Sequence, residues 1–203
     1  MTKCKICGCL TSSFIENKKK YYYCSSCSFV FLDSSFIVSP KLEKERYLKH
    51  ENTLSNKGYV SMLSSFISKI PVHGHVLDFG CGPTLVLKKL ISKKGFSVDA
   101  YDKYFHPCEL SKYDVITCTE VVEHLSDPLS TLKMLKEHLN SSGCIAVMTL
   151  FHPKDLSGWW YLSDETHISF FDKKTFVKMG LLLDMDVEFI NDKNVVVLKK
   201  NYH

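Results

Sequence analysis

Along the middle of the chain, the spacing of hydrophobic residues alternates between helical and strand-like. Over 59–70 apolar residues recur three and four positions apart, which predicts one amphipathic helix. The short run 76–79 contains β-branched and aromatic residues and indicates a buried strand. A helical pattern returns over 83–93, and 96–101 again has the character of a strand. Strands that alternate with helices are typical of an α/β fold with a parallel sheet.

The rest of the chain continues this alternation and ends in a hairpin. The pattern predicts a strand at 113–118, a helix at 128–139, a turn at 140–143 and a strand at 144–149. It then predicts a helix at 172–179, which begins at Asp172 and stops at Gly180. Two final strands, 181–190 and 194–199, are separated by three polar residues. That spacing indicates an antiparallel hairpin.

One strand–helix unit of this pattern is shortened. Only eleven residues separate Asp102, at the end of the second predicted strand, from Asp114 in the next one. A helix and a further parallel strand do not fit into that length. The predicted fold class is therefore α/β, with a Rossmann-like sheet that lacks part of one unit and carries an antiparallel terminal hairpin.

Four of the nine cysteines form two pairs with metal-binding spacing, sixteen residues apart: Cys4, Cys7, Cys24 and Cys27. Two turns that each present two thiolates can enclose Zn²⁺ in a tetrahedron, which predicts a small zinc ribbon. Because so short a segment buries too little to fold alone, we expect the metal to stabilise it. Unrelated or redox-active cysteines are the alternative, and Cys9 is expected to be a bystander.

The predicted domains are the ribbon at 1–33, a partly helical linker at 34–57 and the α/β domain at 58–203. Within the linker, polar side chains crowd just ahead of the first long helix: Arg46, Tyr47, His50 and Asn52. They either line a site or form the caps and turns of a surface segment.

Composition and charge narrow the choice of partners and location. Hydrophobic residues make up 45% of the chain and charged residues 24%, so an ordinary globular protein is expected. A net charge of +4 is too small to argue for nucleic acid, and the lysine run 18–20 is favoured as a solvated hairpin tip. No apolar run reaches the length of a membrane helix, and no signal segment is recognised at the start. We therefore expect a cytoplasmic protein with reduced cysteines and no membrane partner.

Glycines and acids cluster around a tight turn after the first strand of the α/β domain. Gly80 and Gly82 let the backbone bend sharply and approach a ligand closely, and the N–H groups that open the next helix face the same place. Asp102, twenty residues beyond Gly82, can accept hydrogen bonds from ribose hydroxyls. Together with Asp78 this pattern predicts a site for a nucleotide-like cofactor. The alternative for Asp102 is a role in turn formation.

These motifs resemble the class I S-adenosylmethionine-dependent methyltransferases across roughly residues 55–200. The resemblance rests on the segments 76–82 and 113–125 and on Asp102. The cysteine pairs, the polar linker residues and the segment 159–167 further resemble a bacterial subgroup of ribbon-bearing methyltransferases, whose substrates are not named.

The resemblance implies roles for individual residues. Asp78 and the loop of Gly80, Cys81 and Gly82 would serve the methionine part of S-adenosylmethionine, and Asp102 would hold its ribose. Two departures bear on this: Thr84 takes the place of the usual third glycine, and the shortened unit after Asp102 removes part of the adenine pocket.

Two other classes of function are therefore considered as alternatives to a methyltransferase. The departures motivate a non-catalytic binding module that uses the ribbon to grip RNA or protein. An NAD-dependent oxidoreductase is disfavoured, because Leu85 stands where Gly-x-Gly-x-x-Gly requires its third glycine.

Candidate catalytic residues follow the strand 113–118, at the end where α/β sheets place their reactive groups. Glu120, Glu123 and His124 resemble the divalent-metal site of the small-RNA 3′-terminal 2′-O-methyltransferases and of the ubiquinone-pathway O-methyltransferases, and His167 matches a later histidine of the RNA enzymes. A hard cation held there would lower the pKa of a substrate hydroxyl. Without a metal, His124 is a candidate general base, or the Glu123–His124 pair only fixes a loop.

The aromatic run 159–161 lies in a long connection, and it is either a lid over an apolar or planar substrate or a loop buried at the edge of the sheet. His152 is a further histidine within reach of the site.

The sequence thus predicts an enzyme that methylates an oxygen atom of a small-molecule acceptor with S-adenosylmethionine. Metal-dependent RNA 2′-O-methylation is an alternative, with nucleic acid the less favoured partner.

Overall fold

The computed structural model of the protein describes residues 2–201, and its strands form two sheets. The strands are β1 (Ser12–Glu16), β2 (Lys19–Tyr23), β3 (Val30–Leu32), β4 (His75–Phe79), β5 (Ser97–Tyr101), β6 (Tyr113–Thr119), β7 (Leu139–Met148), β8 (Ser169–Phe170), β9 (Met185–Ile190) and β10 (Val195–Lys200). The helices are α1 (Pro40–Leu48), α2 (Lys57–Ile67), α3 (Val86–Ser92), α4 (Pro128–Glu137) and α5 (Lys173–Leu183).

The larger sheet has six strands in the order β5-β4-β6-β7-β10-β9. β5, β4, β6 and β7 are parallel, whereas β10 runs antiparallel to both β7 and β9. After β5 the chain passes directly to β6 on the other side of β4, so β5 is an edge strand of this sheet. The structure therefore confirms the predicted Rossmann-like sheet, its shortened unit and its terminal hairpin.

Helices cover both faces of this sheet, because neighbouring residues of its central strands point to opposite sides. Val76 packs with Phe66 and Ile91, from α2 and α3, on one face. The next residue along β4, Leu77, belongs to the core on the other face, which includes Leu132 of α4. The strands are thus buried from both sides, as their continuously apolar sequence requires.

The predicted turn at 140–143 is wrong, because β7 is continuous from Leu139 to Met148. Asn140 donates a hydrogen bond from Nδ2 to Asp114 Oδ1 at 2.7 Å instead of turning the chain. A Cβ at Gly143 would lie 3.1 Å from the carbonyl oxygen of Asp114, so the glycine permits close approach of β6. The pairing shifts register between Tyr113 and Val115, which accommodates the extra length.

The predicted end of the last helix is also wrong. Asp172 caps α5 as expected, but the helix continues through Gly180 to Leu183, and β9 begins only at Met185. Gly180 serves packing rather than termination, since a Cβ there would lie 2.9 Å from the carbonyl oxygen of Met185. The helix ends where Asp184 adopts a left-handed conformation, with φ of 51°.

The smaller sheet joins the N-terminal segment to the rest of the protein. Its order is β1-β2-β3-β8, so the ribbon strands pair with a strand from beyond residue 168. Phe29 is fully buried, and its ring centroid lies 5.3 Å from that of Phe171. Cys24 and Cys27 belong to the same core cluster as Phe176 of α5. The cysteine segment is therefore packed into the main core, and the predicted domain boundaries stay predictions.

The segment between the ribbon and α2 is held mainly by polar contacts. No residue of α1 is buried, although Ser39 caps the helix by accepting a hydrogen bond from the Leu42 N–H. Among the described residues, 2–201, no helix is both long enough and apolar enough to span a membrane.

Replacing Gly180 with Ala tests the packing role of this glycine. Alanine favours helix by about 1 kcal/mol over glycine in an exposed interior position. We nevertheless expect Gly180→Ala to lower the free energy of unfolding by about 1–3 kcal/mol, because its methyl group meets the backbone of β9. Urea unfolding followed by circular dichroism measures the change.

Gly58 in α2 is the matched control. A Cβ there meets Asn56 Oδ1 at an ordinary 3.5 Å. Gly58→Ala should therefore leave the stability unchanged or raise it by up to about 1 kcal/mol. Equal effects of the two substitutions would contradict the proposed packing role of Gly180.

Candidate active site

A cavity of about 660 Å³ opens at the carboxyl ends of β4, β5 and β6. Its lining includes Gly80 after β4, Asp102 after β5 and Glu120 after β6. Parallel strands bring their carboxyl ends to one edge of the sheet, so residues far apart in sequence meet here. Several of the predicted cofactor and catalytic residues therefore border a single space, whereas Asp78 and Glu123 are buried and do not line it.

The glycine turn after β4 forms one wall of this cavity. Gly80 has φ of 75°, and a Cβ there would lie 2.3 Å from Cγ2 of Val121, so the neighbouring loop excludes any side chain. The N–H groups of Gly80 and Cys81 donate to the carbonyl of Tyr101 at 2.7 and 3.1 Å. At Gly82, by contrast, a Cβ would meet nothing within 4 Å. The turn is thus held against β5 and leaves open space at Gly82, where a ligand can approach the backbone.

Asp78 lies beneath the turn and does not line the cavity. Its Oδ2 accepts a hydrogen bond from the Lys88 N–H at 3.1 Å, which ties the end of β4 to the first turn of α3. Its Oδ1 is buried without a hydrogen-bond partner, and burial raises the pKa of this carboxyl group to about 7. The structure therefore gives Asp78 an indirect relation to any cofactor, through the shape of the loop.

Asp102 lines the cavity and is fixed by three backbone N–H groups. Oδ1 accepts from Tyr104 at 2.8 Å and Phe105 at 3.2 Å, and Oδ2 accepts from Gly82 at 3.1 Å. A carboxylate oxygen accepts two hydrogen bonds, so Oδ2 retains capacity for a ligand hydroxyl. Asp102 thus links the glycine turn to β5 and still meets the requirement predicted for a ribose-binding acid.

Thr84, which replaces the usual third glycine, anchors the linker to the glycine turn. Its hydroxyl donates a hydrogen bond to the carbonyl of Asn52. This bond brings the linker over the cavity, where Tyr47, His50 and Asn52 contribute to the lining. Of the two interpretations of these polar linker residues, the structure favours a lining role.

Glu120, Glu123 and His124 lie in the loop that follows β6. Glu120 has φ of 54°, a left-handed conformation that is unfavourable for a residue with a side chain. A short 3-10 turn at Val122–His124 then directs Glu123 inward, where it is completely buried. His167 approaches from the segment before β8, and its side chain is buried as well.

Glu123, His124 and His167 form a compact group. One potential ligand atom from each lies within 4.8 Å of the other two. Nδ1 of His124 lies 3.0 Å from the carbonyl of Thr166, and Nδ1 of His167 lies 3.0 Å from the carbonyl of Tyr161. Because a carbonyl only accepts, both Nδ1 atoms carry hydrogen. Nε2 of each ring is therefore the atom left to bind a metal.

The charge state of this group is governed by burial. Burial raises the pKa of Glu123 to about 8, and Oε2 of Glu123 has no hydrogen-bond partner. The side chain of Glu120 faces the cavity, but loss of bulk water still raises its pKa to about 7. Burial also lowers the pKa of His124 to about 3. The unpartnered Oε2 of Glu123 beside two imidazoles is the donor set that a divalent cation would complete.

The aromatic run 159–161 takes both predicted roles. Trp160 is 67% exposed and lines the cavity, as a lid residue would. Tyr161 is buried, and its hydroxyl donates a hydrogen bond to Oε1 of Glu123. His152 does not line the cavity, because its Nε2 lies 2.7 Å from the carbonyl of Ser28 in the ribbon. Of the two candidate histidines, only His167 therefore reaches the site.

The four ribbon cysteines meet in one cluster away from the cavity. Cys4 Sγ lies 3.6 Å from Cys27 Sγ, and Cys7 Sγ lies 3.5 Å from Cys24 Sγ. A tetrahedral zinc site with Zn–S bonds of about 2.3 Å places its sulfur atoms about 3.8 Å apart, so the cluster fits this metal.

Sequence reasoning missed Glu43 and Tyr104, which join α1 to the loop after Asp102. The Glu43 carboxylate accepts hydrogen bonds from Lys103 Nζ at 2.8 Å, from Tyr47 at 2.7 Å and from the hydroxyl of Tyr104. The helical spacing of Glu43 and Tyr47 was the only sequence signal for this group. Nothing in the sequence pattern indicated that Glu43 would bond to Lys103, which lies 60 residues away.

Relatives of known function match only part of the chain. A tRNA U34 carboxymethyltransferase of Campylobacter lari is 37% identical over 68 residues, which are 34% of this chain and 20% of that protein. A ubiquinone biosynthesis O-methyltransferase of Actinobacillus pleuropneumoniae is 31% identical over 81 residues, 36% of this chain and 35% of that protein. The chain thus spans roughly a third or less of the length of these relatives.

A solved structure with a similar fold is that of CalO1, a methyltransferase in calicheamicin biosynthesis, in its SAH-bound form. The TM-score is 0.57 with 11% sequence identity, and the likeness covers 71% of this chain and 55% of that one. At this identity the comparison concerns the fold alone.

The family model that describes a methyltransferase domain matches residues 47–181, which is more than half of the chain. The matched region contains the glycine turn, Asp102 and the whole Glu123, His124 and His167 group. The predicted ribbon-bearing subgroup stays a prediction. The family match and the fold together show that the chain belongs to the methyltransferase domain family.

Proposed function

We propose that this protein is an S-adenosylmethionine-dependent methyltransferase that methylates an oxygen atom of a small molecule. One observation carries the proposal: the glycine turn, Asp102, His124 and His167 border the same 660 Å³ cavity, and Glu123 lies buried beside the two histidines. A cofactor and an acceptor bound to these two sides would meet inside it.

The cofactor side is formed by backbone that a ligand can approach. The open space at Gly82 and the free acceptor capacity of Asp102 Oδ2 suit an adenosyl cofactor with ribose hydroxyls. Asp78 contributes by holding the turn in place through the Lys88 N–H. When bound, S-adenosylmethionine supplies an electrophilic methyl group on its sulfonium sulfur.

The acceptor side supports a divalent cation. Glu123, His124 and His167 would hold it. Glu120 lies close to this group, because the hydroxyl of Tyr161 contacts both Glu120 and Glu123. When bound, a divalent cation would lower the pKa of a substrate hydroxyl coordinated to it. Loss of that proton to solvent would leave an oxyanion that forms the O–CH3 bond while the S–CH3 bond breaks and S-adenosylhomocysteine leaves. The two carbonyl-bound Nδ1 atoms keep both imidazoles oriented for this role.

A metal-free role for His124 as general base receives less support. Its Nε2 is free to accept a proton, but burial keeps the pKa of the imidazole far below neutral pH. A buried, neutral imidazole beside a second one and a buried carboxylate suits a ligand better than a base.

The alternative of a non-catalytic module that grips a partner with its ribbon also loses support. The Cys27 carbonyl accepts a hydrogen bond from Thr175 Oγ1 at 2.9 Å, and Lys174 Nζ reaches the carbonyl of Ser25 at 3.1 Å. The second metal-binding turn of the ribbon is thus engaged with α5. We propose that zinc at the four cysteines is structural.

A small molecule suits the cavity better than a nucleic acid. Tyr47 and Trp160 border it from the linker and from the segment 159–161. A partly enclosed cavity of several hundred Å³ that is lined in part by aromatic side chains is typical of small-molecule sites. The RNA alternative rests on the predicted metal motif and not on a basic surface.

Isothermal titration calorimetry with S-adenosylhomocysteine tests the cofactor site. We expect binding to the wild-type protein and a 10- to 100-fold loss of affinity in Asp102→Ala, because a charge-assisted hydrogen bond contributes about 1.5–3 kcal/mol. Asp186→Ala, on the exposed side of β9, should bind like the wild type. No binding to the wild type at millimolar concentration would favour the non-catalytic module.

The cation site predicts a specific defect in Glu123→Gln, which keeps the size of the side chain but cannot provide the carboxylate that a cation would bind. Titration with Mn²⁺, followed by the electron paramagnetic resonance of the free ion, should show one cleft site in the zinc-loaded wild-type protein. The affinity of that site should fall at least 100-fold in the variant, while Glu137→Gln in the last turn of α4 leaves it unchanged. Equal Mn²⁺ binding by all three proteins would refute a site at Glu123.

Removal of one ribbon cysteine tests the structural zinc. We expect Cys24→Ser to lose the bound zinc and to lower the free energy of unfolding by several kcal/mol, since Cys24 is fully buried in the main core. Cys9 is exposed, and Cys9→Ser should retain both zinc and stability. Metal analysis and thermal unfolding measure the two quantities. Retention of zinc by Cys24→Ser would overturn the assignment.

A further inference from the structure

Tyr161 contacts the candidate cation site in three separate ways. Its hydroxyl donates to Glu123 Oε1, and its main-chain carbonyl accepts the Nδ1 hydrogen of His167 at 3.0 Å. Its ring centroid lies 4.0 Å from that of the His167 imidazole. One side chain and its own backbone thus constrain two of the three proposed ligands.

We propose that Tyr161 is the positioning residue that sets the cation affinity of this site, an inference that rests on the proposed cation at Glu123, His124 and His167. The hydroxyl occupies Oε1 of Glu123 and leaves Oε2, which has no other partner, as the coordinating atom. The carbonyl fixes the tautomer of His167 so that Nε2 is the second ligand. Groups that orient ligands in this way typically change metal affinity 10- to 100-fold.

The same hydroxyl also lies between two acids. It is 3.3 Å from Oε2 of Glu120 while it donates to Glu123, so one hydroxyl contacts both carboxyl groups. Without it, Oε1 of the buried Glu123 side chain would lose this donor. Since an unpartnered buried carboxylate is costly, the side chain would rotate away from its coordinating position.

The position of Tyr161 depends on packing against the ribbon strands. Tyr161 belongs to a buried cluster with Tyr21, Val30 and Leu32 of β2 and β3. Its ring lies 5.2 Å from that of Trp159, centroid to centroid. Only 3% of Tyr161 is exposed. This rigid packing is what a positioning residue requires and what a mobile lid residue lacks.

The test is Tyr161→Phe, which removes the hydroxyl and keeps the ring and the carbonyl. In zinc-loaded protein we expect the dissociation constant for Mn²⁺ to rise 10- to 100-fold, and the visible absorption bands of Co²⁺ bound in the cleft to shift. Tyr22→Phe removes a ribbon hydroxyl that binds Asp33 and serves as the matched control. S-adenosylhomocysteine affinity should stay within about twofold of the wild type in both variants, which separates positioning from general disruption.

The outcomes distinguish this inference from the proposal on which it rests. If the wild-type protein binds no cation in the cleft, the proposed cation site fails and the role of Tyr161 fails with it. If the wild type binds and Tyr161→Phe binds within threefold of it, with unchanged Co²⁺ bands, the cation site stands and the positioning role is overturned. If Tyr161→Phe also loses S-adenosylhomocysteine binding, Tyr161 is a structural residue and the inference is again overturned.

Discussion

The structure depends on the side-by-side parallel pairing of β5, β4 and β6, which brings three strand ends to one edge of the sheet. Gly80, Asp102 and Glu120 each follow one of these strands directly. Their proximity is a consequence of strand order, and no contact between them is needed to create it. The bonds that do form, from the Gly80 N–H to Tyr101 and from the Gly82 N–H to Asp102, then fix the loops relative to one another. A parallel sheet buried on both faces thus provides a rigid base for loops with strained backbone, such as the left-handed Glu120.

The ribbon extends this rigidity to the other side of the cavity. The Leu32 N–H donates to the carbonyl of Ile168 at 2.9 Å, and the Ile168 N–H donates to the carbonyl of Glu123 at 2.8 Å. A continuous run of backbone hydrogen bonds therefore connects β3 to the buried acid of the site. Because β8 pairs with β3, the segment that carries His167 is held between the ribbon and the loop that follows β6. A segment that sequence spacing identifies only as a metal-stabilised appendage is therefore part of the scaffold of the site.

The local sequence pattern predicts where the strands of the larger sheet end and which residues follow them, but not the contacts between those residues. The glycine turn, the acid at 102 and the acids after β6 follow from local pattern, because each lies directly after an apolar strand. The turn at 140–143 and the stop at Gly180 were wrong for a common reason: both glycines permit close approach of another strand, which depends on tertiary contacts. The link between Glu43 and Tyr104 and the bond from Tyr161 to Glu123 join residues 61 and 38 positions apart, a separation that carries no periodic signal.

The linker offers a physical account of how the fold accommodates its shortened unit. The omitted strand and helix would begin just after Asp102, and the residues present there, Lys103 and Tyr104, instead bond to Glu43 of α1. On the opposite rim, Arg46 of α1 pairs with Asp164 at 2.9 Å, three residues before His167. The Thr84 hydroxyl bonds to the Asn52 carbonyl and so attaches the linker to the glycine turn. Thr84 is also the residue that replaces the usual third glycine. No residue of α1 is fully buried, and these polar bonds, together with the contacts of the Tyr47 ring with Tyr104 and His124, hold the wall that the missing unit leaves open. The two departures from the family pattern are therefore parts of one arrangement, in which a segment from before the sheet borders the cavity.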